Sequence, residues 1–220
     1  MTRAQKNAGN SGALTLSRQL RWGFWAGTVM AILVVLRRVF ALAFPPHSGP
    51  PQLTALDATF ASHATLTLAH ILPALVFVLL CPIIVFRAPG KTPWLEMLVF
   101  FFGGVVGITA YAMSVHSVGG WIERSAVLLF NSLFLFSLVR AYLYWRRGDW
   151  LLKRRWMLRA IAILLGIATT RPVMGIFFAT SRLTHLEPKQ FFGIAFWIGF
   201  SINTVVVELW LRSQDRESQA

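Results

Sequence analysis

The sequence predicts an all-α integral membrane protein: a bundle of six transmembrane helices with both termini cytoplasmic. Three observations carry this prediction. The chain has six long apolar runs, its connections are alternately rich and poor in Lys and Arg, and its tryptophans gather at the ends of the runs. Of 220 residues, 56% are hydrophobic and only 13% charged, with a mean hydropathy of +0.61. A soluble domain carries about 25% charged residues. A spanning helix needs roughly 20 predominantly apolar residues. A β-barrel would show short alternating segments instead.

Residues 1–20 are polar and basic and read as a mobile tail. The first run, 22–44, contains Arg37 and Arg38 near its far end. A signal peptide has a shorter apolar core without such a pair, so the run reads as a retained anchor. Both arginines are expected to snorkel to the outer interface. The connection 45–63 holds two Pro pairs, which argue against a continuous helix. The second run is 64–86, followed by a tight inner turn at Pro89-Gly90. The third, 93–115, carries Gly103 and Gly107, a small-xxx-small spacing that lets another helix approach closely. That partner is a helix of the same chain or a second copy in a homodimer. Gly119-Gly120 marks the turn into the fourth run, 121–145. The charged connection 146–156 leads to the fifth, 157–179, and the sixth covers 190–211. Residues 21–212 thus form one membrane domain, and 213–220 a short charged tail.

The net charge is +13. With the N-terminus inside, fourteen Lys and Arg fall on the cytoplasmic side and three on the other. This positive-inside asymmetry sets the orientation in a bacterial inner membrane. It accounts for the basic character through anionic lipid headgroups and argues against nucleic acid. Cys81 is the only cysteine, so internal disulfides and cysteine-held clusters are excluded.

Charged and polar groups in hydrocarbon need a reason. Arg171 lies about 12 Å inside the fifth run, next to Pro172, and Asn131 lies about 15 Å inside the fourth. A contact between them is one way to satisfy both. Bonds from Arg171 to carbonyls freed by Pro172 are another. Arg159 and Glu208 share a depth if the last two spans are antiparallel neighbours, which predicts an ion pair. Asn203 precedes Glu208 by five residues and points to a different face. Arg154, Arg155 and Arg159 suit phosphate or carboxylate headgroups, and ordinary positive-inside anchoring accounts for them more simply than a specific site. His70 and His116 raise the question of haem b, although they differ in depth by about 9 Å or more.

The stretch Lys153-Arg-Arg-Trp-Met-Leu-Arg159, Arg171 twelve residues later, and Asn203 five residues before Glu208 resemble a bacterial family of predicted membrane proteins, the domain-of-unknown-function family numbered 2306. The likeness covers residues 57–212 and is most specific in its last third. His70 takes the place of a family histidine that opens a helix. Lys153 stands where the family has His, and Leu95-Glu96 where it has a His-Arg pair. Any cofactor held by those histidines would be lost here. The resemblance adds weight to Arg154, Arg155, Arg159, Arg171, Asn203 and Glu208 without assigning them chemistry.

Three functions are compatible with these residues. One is a non-enzymatic membrane protein with an interior Arg/Asn/Glu network that binds an anionic ligand or lipid, with no cofactor expected. Another is a redox protein holding haem b or quinone beside His70, His116 and Asn131. The third is a small transporter acting as a dimer, with a broken helix at Arg171-Pro172. Hydrolase motifs are missing from the chain.

Overall fold

The computed structural model describes residues 17–44, 51–86, 93–184 and 188–217. It holds α1 (Arg18–Ala43), α2 (Pro51–Ala61), α3 (Ala64–Phe86), α4 (Pro93–Ser114), α5 (Gly120–Arg146), α6 (Trp150–Leu164), α7 (Gly166–Thr184) and α8 (Pro188–Glu217). Six segments are long and apolar enough to cross a membrane, with α6 and α7 together forming the fifth. Most of the predicted tail, residues 1–16, and the Pro89-Gly90 turn lie outside the described residues.

Local chemistry sets the helix starts. Ser17 Oγ accepts the Leu20 N–H at 3.3 Å to open α1. Asp149 Oδ1 accepts the Leu152 N–H at 3.0 Å to open α6. Gly148 before it adopts φ +75°, the left-handed turn that lets α5 and α6 fold back on one another. Pro51 opens α2, a short helix within a connection whose prolines argued against one. A first-position Pro costs no hydrogen bond. α8 continues to Glu217, through the segment that the sequence presents as a tail.

The spans form a closed ring in the order α1, α3, α4, α5, α8, α7 and back to α1. α6 lies differently: it packs on α5 and α8 and reaches α3. The fifth span therefore fills the bundle interior with α6 and joins the ring wall with α7. The change of course occurs at Leu165, which belongs to neither helix. Pro172, where the break was expected, stays inside α7. The bend is held by tertiary contact. Asn203 Oδ1 accepts from Thr169 Oγ1 at 2.7 Å, and Asn203 Nδ2 donates to the Ala162 carbonyl at 3.1 Å. A Cβ on Gly166 would stand 2.7 Å from the Phe200 ring.

Gly103 and Gly107 serve packing within the chain. Cβ atoms there would lie 2.8 Å from Leu138 and 2.3 Å from Leu135, both on α5. Leu33, Leu36, Phe101, Ile108, Phe136 and Val205 point outward and are exposed. Such an apolar exterior is what lipid requires and water forbids.

Candidate functional site

Because α6 ends at Leu164 and α7 leaves for the wall, the half of the bundle beyond Leu165 is hollow. The cavity measures about 240 Å³. Ile163 and Leu164 at the end of α6 form part of its lining, and Phe130, Phe134, Phe196 and Phe200 line its apolar part. Phe130 stacks on Phe200 with centroids 5.4 Å apart. Arg38, His63, His70, His116, Glu123, Asn131 and Arg171 are the polar lining.

Each polar group is placed by a specific element. Arg38 lies near the end of α1 and donates to Asp57 Oδ1 at 2.5 Å, and Arg37 donates to the same carboxylate at 2.9 and 3.2 Å. Asp57 is buried on α2. This corrects the snorkelling expected of Arg38: a carboxylate from the next helix holds it inside, whereas the Arg37 side chain is half exposed. Its guanidinium also lies 3.8 Å over the Phe60 ring. Thr67 Oγ1 donates to the Phe60 carbonyl at 3.2 Å and fixes the other end of α2. The short helix thereby covers the polar end of the cavity, with Thr59 and Phe60 in its lining.

Glu123 opens α5 and is buried, and its Oε2 accepts the Gly119 N–H at 2.6 Å. Asn131 Nδ2 donates to the Gly107 carbonyl at 2.9 Å, across to α4. The Arg171–Asn131 hydrogen bond is therefore not formed, although both side chains line the one cavity. Arg171 does not bond carbonyls freed by Pro172 either. Its Nη1 donates to the Met174 sulfur at 3.9 Å, and its buried Nε has no partner. Arg124, Arg140 and Arg154 also carry a partnerless buried Nε, but Arg171 alone of the four lines the cavity. Arg37, Arg38 and Glu123 act on it electrostatically.

His70 Nδ1 is 2.9 Å from Thr109 Oγ1, whose own proton goes to the Val105 carbonyl at 2.7 Å. His70 thus links α3 to α4. His116 stacks on His63, with centroids 3.8 Å apart. Among the described residues, no three His, Cys, Asp or Glu side chains are grouped to hold a metal ion.

The other predicted residues gather at the opposite, basic end. Arg159 Nε donates to Glu208 at 2.8 Å, and Arg212 joins at 3.3 Å. Arg155 pairs with Asp215, and Arg154 Nη2 donates to the Val85 carbonyl at 3.2 Å. Asn203 supports the bend between the two regions. The candidate residues thus divide: Arg171, Asn131 and His70 share the cavity, whereas Arg154, Arg155, Arg159, Asn203 and Glu208 tie helices together.

The family model described as predicted membrane protein (DUF2306) matches residues 67–211. The chain belongs to this family. No curated protein and no solved structure matches it. The match takes in most of α3 through most of α8, hence much of the cavity wall and the Arg159–Glu208 and Lys153–Glu96 pairs, while α1, α2, Arg212 and Asp215 lie outside it.

Sequence reasoning passed over Asp57, Glu123 and the Lys153–Glu96 pair. A usable signal was present. The chain has eight acidic residues against twenty-one Lys and Arg. With carboxylates so scarce, each one near an apolar run marks a specific partner. All six whose side chains are described have one.

Proposed function

We propose that this protein is a non-enzymatic integral membrane protein whose interior cavity binds an amphipathic, lipid-like molecule. The observation that carries the reading is a hollow with phenylalanine walls and an ionic rim, lined by residues from the ring of membrane-spanning helices. Ligand sites are typically apolar with a few placed polar groups. A ligand dissolved in the bilayer would set its apolar part against Phe130, Phe196 and Phe200 and its polar end toward Arg171.

In this reading the Arg-rich end lies at the cytoplasmic face of a bacterial inner membrane, where its spare positive charge meets anionic headgroups. The arginines there that are tied to Asp215 and Glu208 act as a lock between the fifth and sixth spans rather than as a ligand site.

The test is mass spectrometry of lipids retained by the protein after detergent purification. Wild type should carry a lipid-derived molecule at near one per chain. Ala74→Phe, which puts a ring into the cavity, should lose it while keeping the helical content and monodispersity. Equal retention by a folded Ala74→Phe variant would remove the cavity from the account.

A further inference from the structure

The charges at the rim narrow the ligand class. Three guanidinium groups, Arg37, Arg38 and Arg171, act on one another there, and two carboxylates, Asp57 and Glu123, face them. Even with both carboxylates ionised, one positive charge is left unmatched. The surplus belongs to the rim as a whole, and the hydrogen bonds show which guanidinium has donors free for a ligand. Arg37 and Arg38 share Asp57. Glu123 is turned to the Gly119 amide. Among the described residues, Arg171 bonds a thioether and its Nε is open. A guanidinium inside a low-dielectric bundle favours an anion that can accept two parallel N–H bonds.

The size of the hollow restricts the rest of the ligand. About 240 Å³ is below the usual range of small-molecule pockets, roughly 300–1,000 Å³. On the order of eight methylene-sized groups of roughly 30 Å³ each fill such a space, so one medium-length acyl chain fits and the paired chains of a phospholipid do not. Three guanidinium groups match two carboxylates and one further negative charge, so a dianionic head beside Glu123 is disfavoured.

We infer, resting on the cavity reading above, that the ligand is a single-chain carboxylate amphiphile whose carboxylate is held by Arg171. Its chain lies among Phe130, Phe196 and Phe200 and ends over Ile163 and Leu164. Arg171 is the specificity-determining residue. Asp57 prevents Arg38 from competing for the same head.

The experiment uses the full chain in nanodiscs of zwitterionic lipid, with tritiated decanoate and tritiated decanol as probes. The signal from Ala74→Phe nanodiscs is subtracted as partition into lipid. Decanoate should bind saturably to wild type, and the alcohol at least about tenfold more weakly, the worth of a charge-assisted hydrogen bond. Arg171→Gln should bring decanoate down to the affinity of the alcohol. Equal binding of decanoate and alcohol to wild type would overturn the charge assignment and leave the cavity reading standing. Tighter binding of decyl phosphate than of decanoate would overturn the carboxylate in favour of a phosphate head. Failure of every probe to exceed the Ala74→Phe background would overturn the cavity reading itself. The comparison on wild type decides the matter even if Arg171→Gln fails to fold.

Discussion

Lys153 and Glu96 are 4% and 6% exposed and bond at 2.5 Å, in a chain whose other basic-end pairs are partly open. Two ions out of water are costly, and their attraction offsets that cost only while both are present. Lys153→Met alone leaves Glu96 buried and charged, with one oxygen already without a partner. The expected loss is about 3–5 kcal/mol, read as a fall in the unfolding midpoint in detergent. Lys153→Met with Glu96→Leu should recover most of it, because the helices can pack apolar groups there. A double variant as unstable as the single would show that the pair does more than neutralise itself. The Arg159–Glu208–Arg212 group, with Glu208 35% exposed, contributes less, about 1 kcal/mol or under. The Arg159–Glu208 pair was readable in the sequence, because antiparallel neighbouring spans bring their charges to one depth. The Lys153–Glu96 pair was not: it joins residues 57 positions apart across helices whose adjacency no local pattern announces. Lys153 resembled one more anchoring charge.

The same division holds for elements. Apolar length gave all six spans, since a lipid-exposed exterior leaves little freedom in where a span starts and stops. The bend at Leu165 was not legible. Pro172 is the local breaker, yet the helix tolerates it. The path changes where Phe200 presses on Gly166 and Asn203 takes over backbone and hydroxyl partners. One turn further on, a Cβ at Gly199 would lie 2.7 Å from the Thr170 backbone nitrogen and 2.9 Å from its Cα. Backbone cannot give way as a side-chain tip can. Gly199→Ala should therefore push α7 from α8 and cost about 1–3 kcal/mol. Gly175→Ala, with nothing within 4 Å of its Cβ, should be neutral or gain up to about 1 kcal/mol from helix propensity. Equal midpoints for the two variants in thermal unfolding would mean that the close crossing is not what holds the fifth span in place.

At the scale of the molecule, the bundle is asymmetric along its axis. α6 fills the basic half, and the other half keeps a cavity because α7 has moved into the wall. That asymmetry gathers Arg171, Asn131 and His70, which sequence reasoning weighed separately, around one space. In a spanning bundle the two ends face different compartments. α5 alone, 27 residues long, spans about 40 Å from the histidine end to Arg146, more than the roughly 30 Å hydrocarbon core. Ala61 lies at the end covered by α2, and Arg147 follows α5 at the other; both are exposed. Single-cysteine variants Ala61→Cys and Arg147→Cys, built on Cys81→Ala, should therefore react with a membrane-impermeant maleimide from opposite faces. The positive-inside rule places Arg147→Cys on the cytoplasmic face, reachable in inverted vesicles and shielded in intact cells. Opposite labelling with Arg147→Cys outside would keep the bundle and invert its orientation, so the cavity would open toward the cytoplasm. Labelling of both from one face would remove the odd crossing between them, and with it the ring that encloses the cavity.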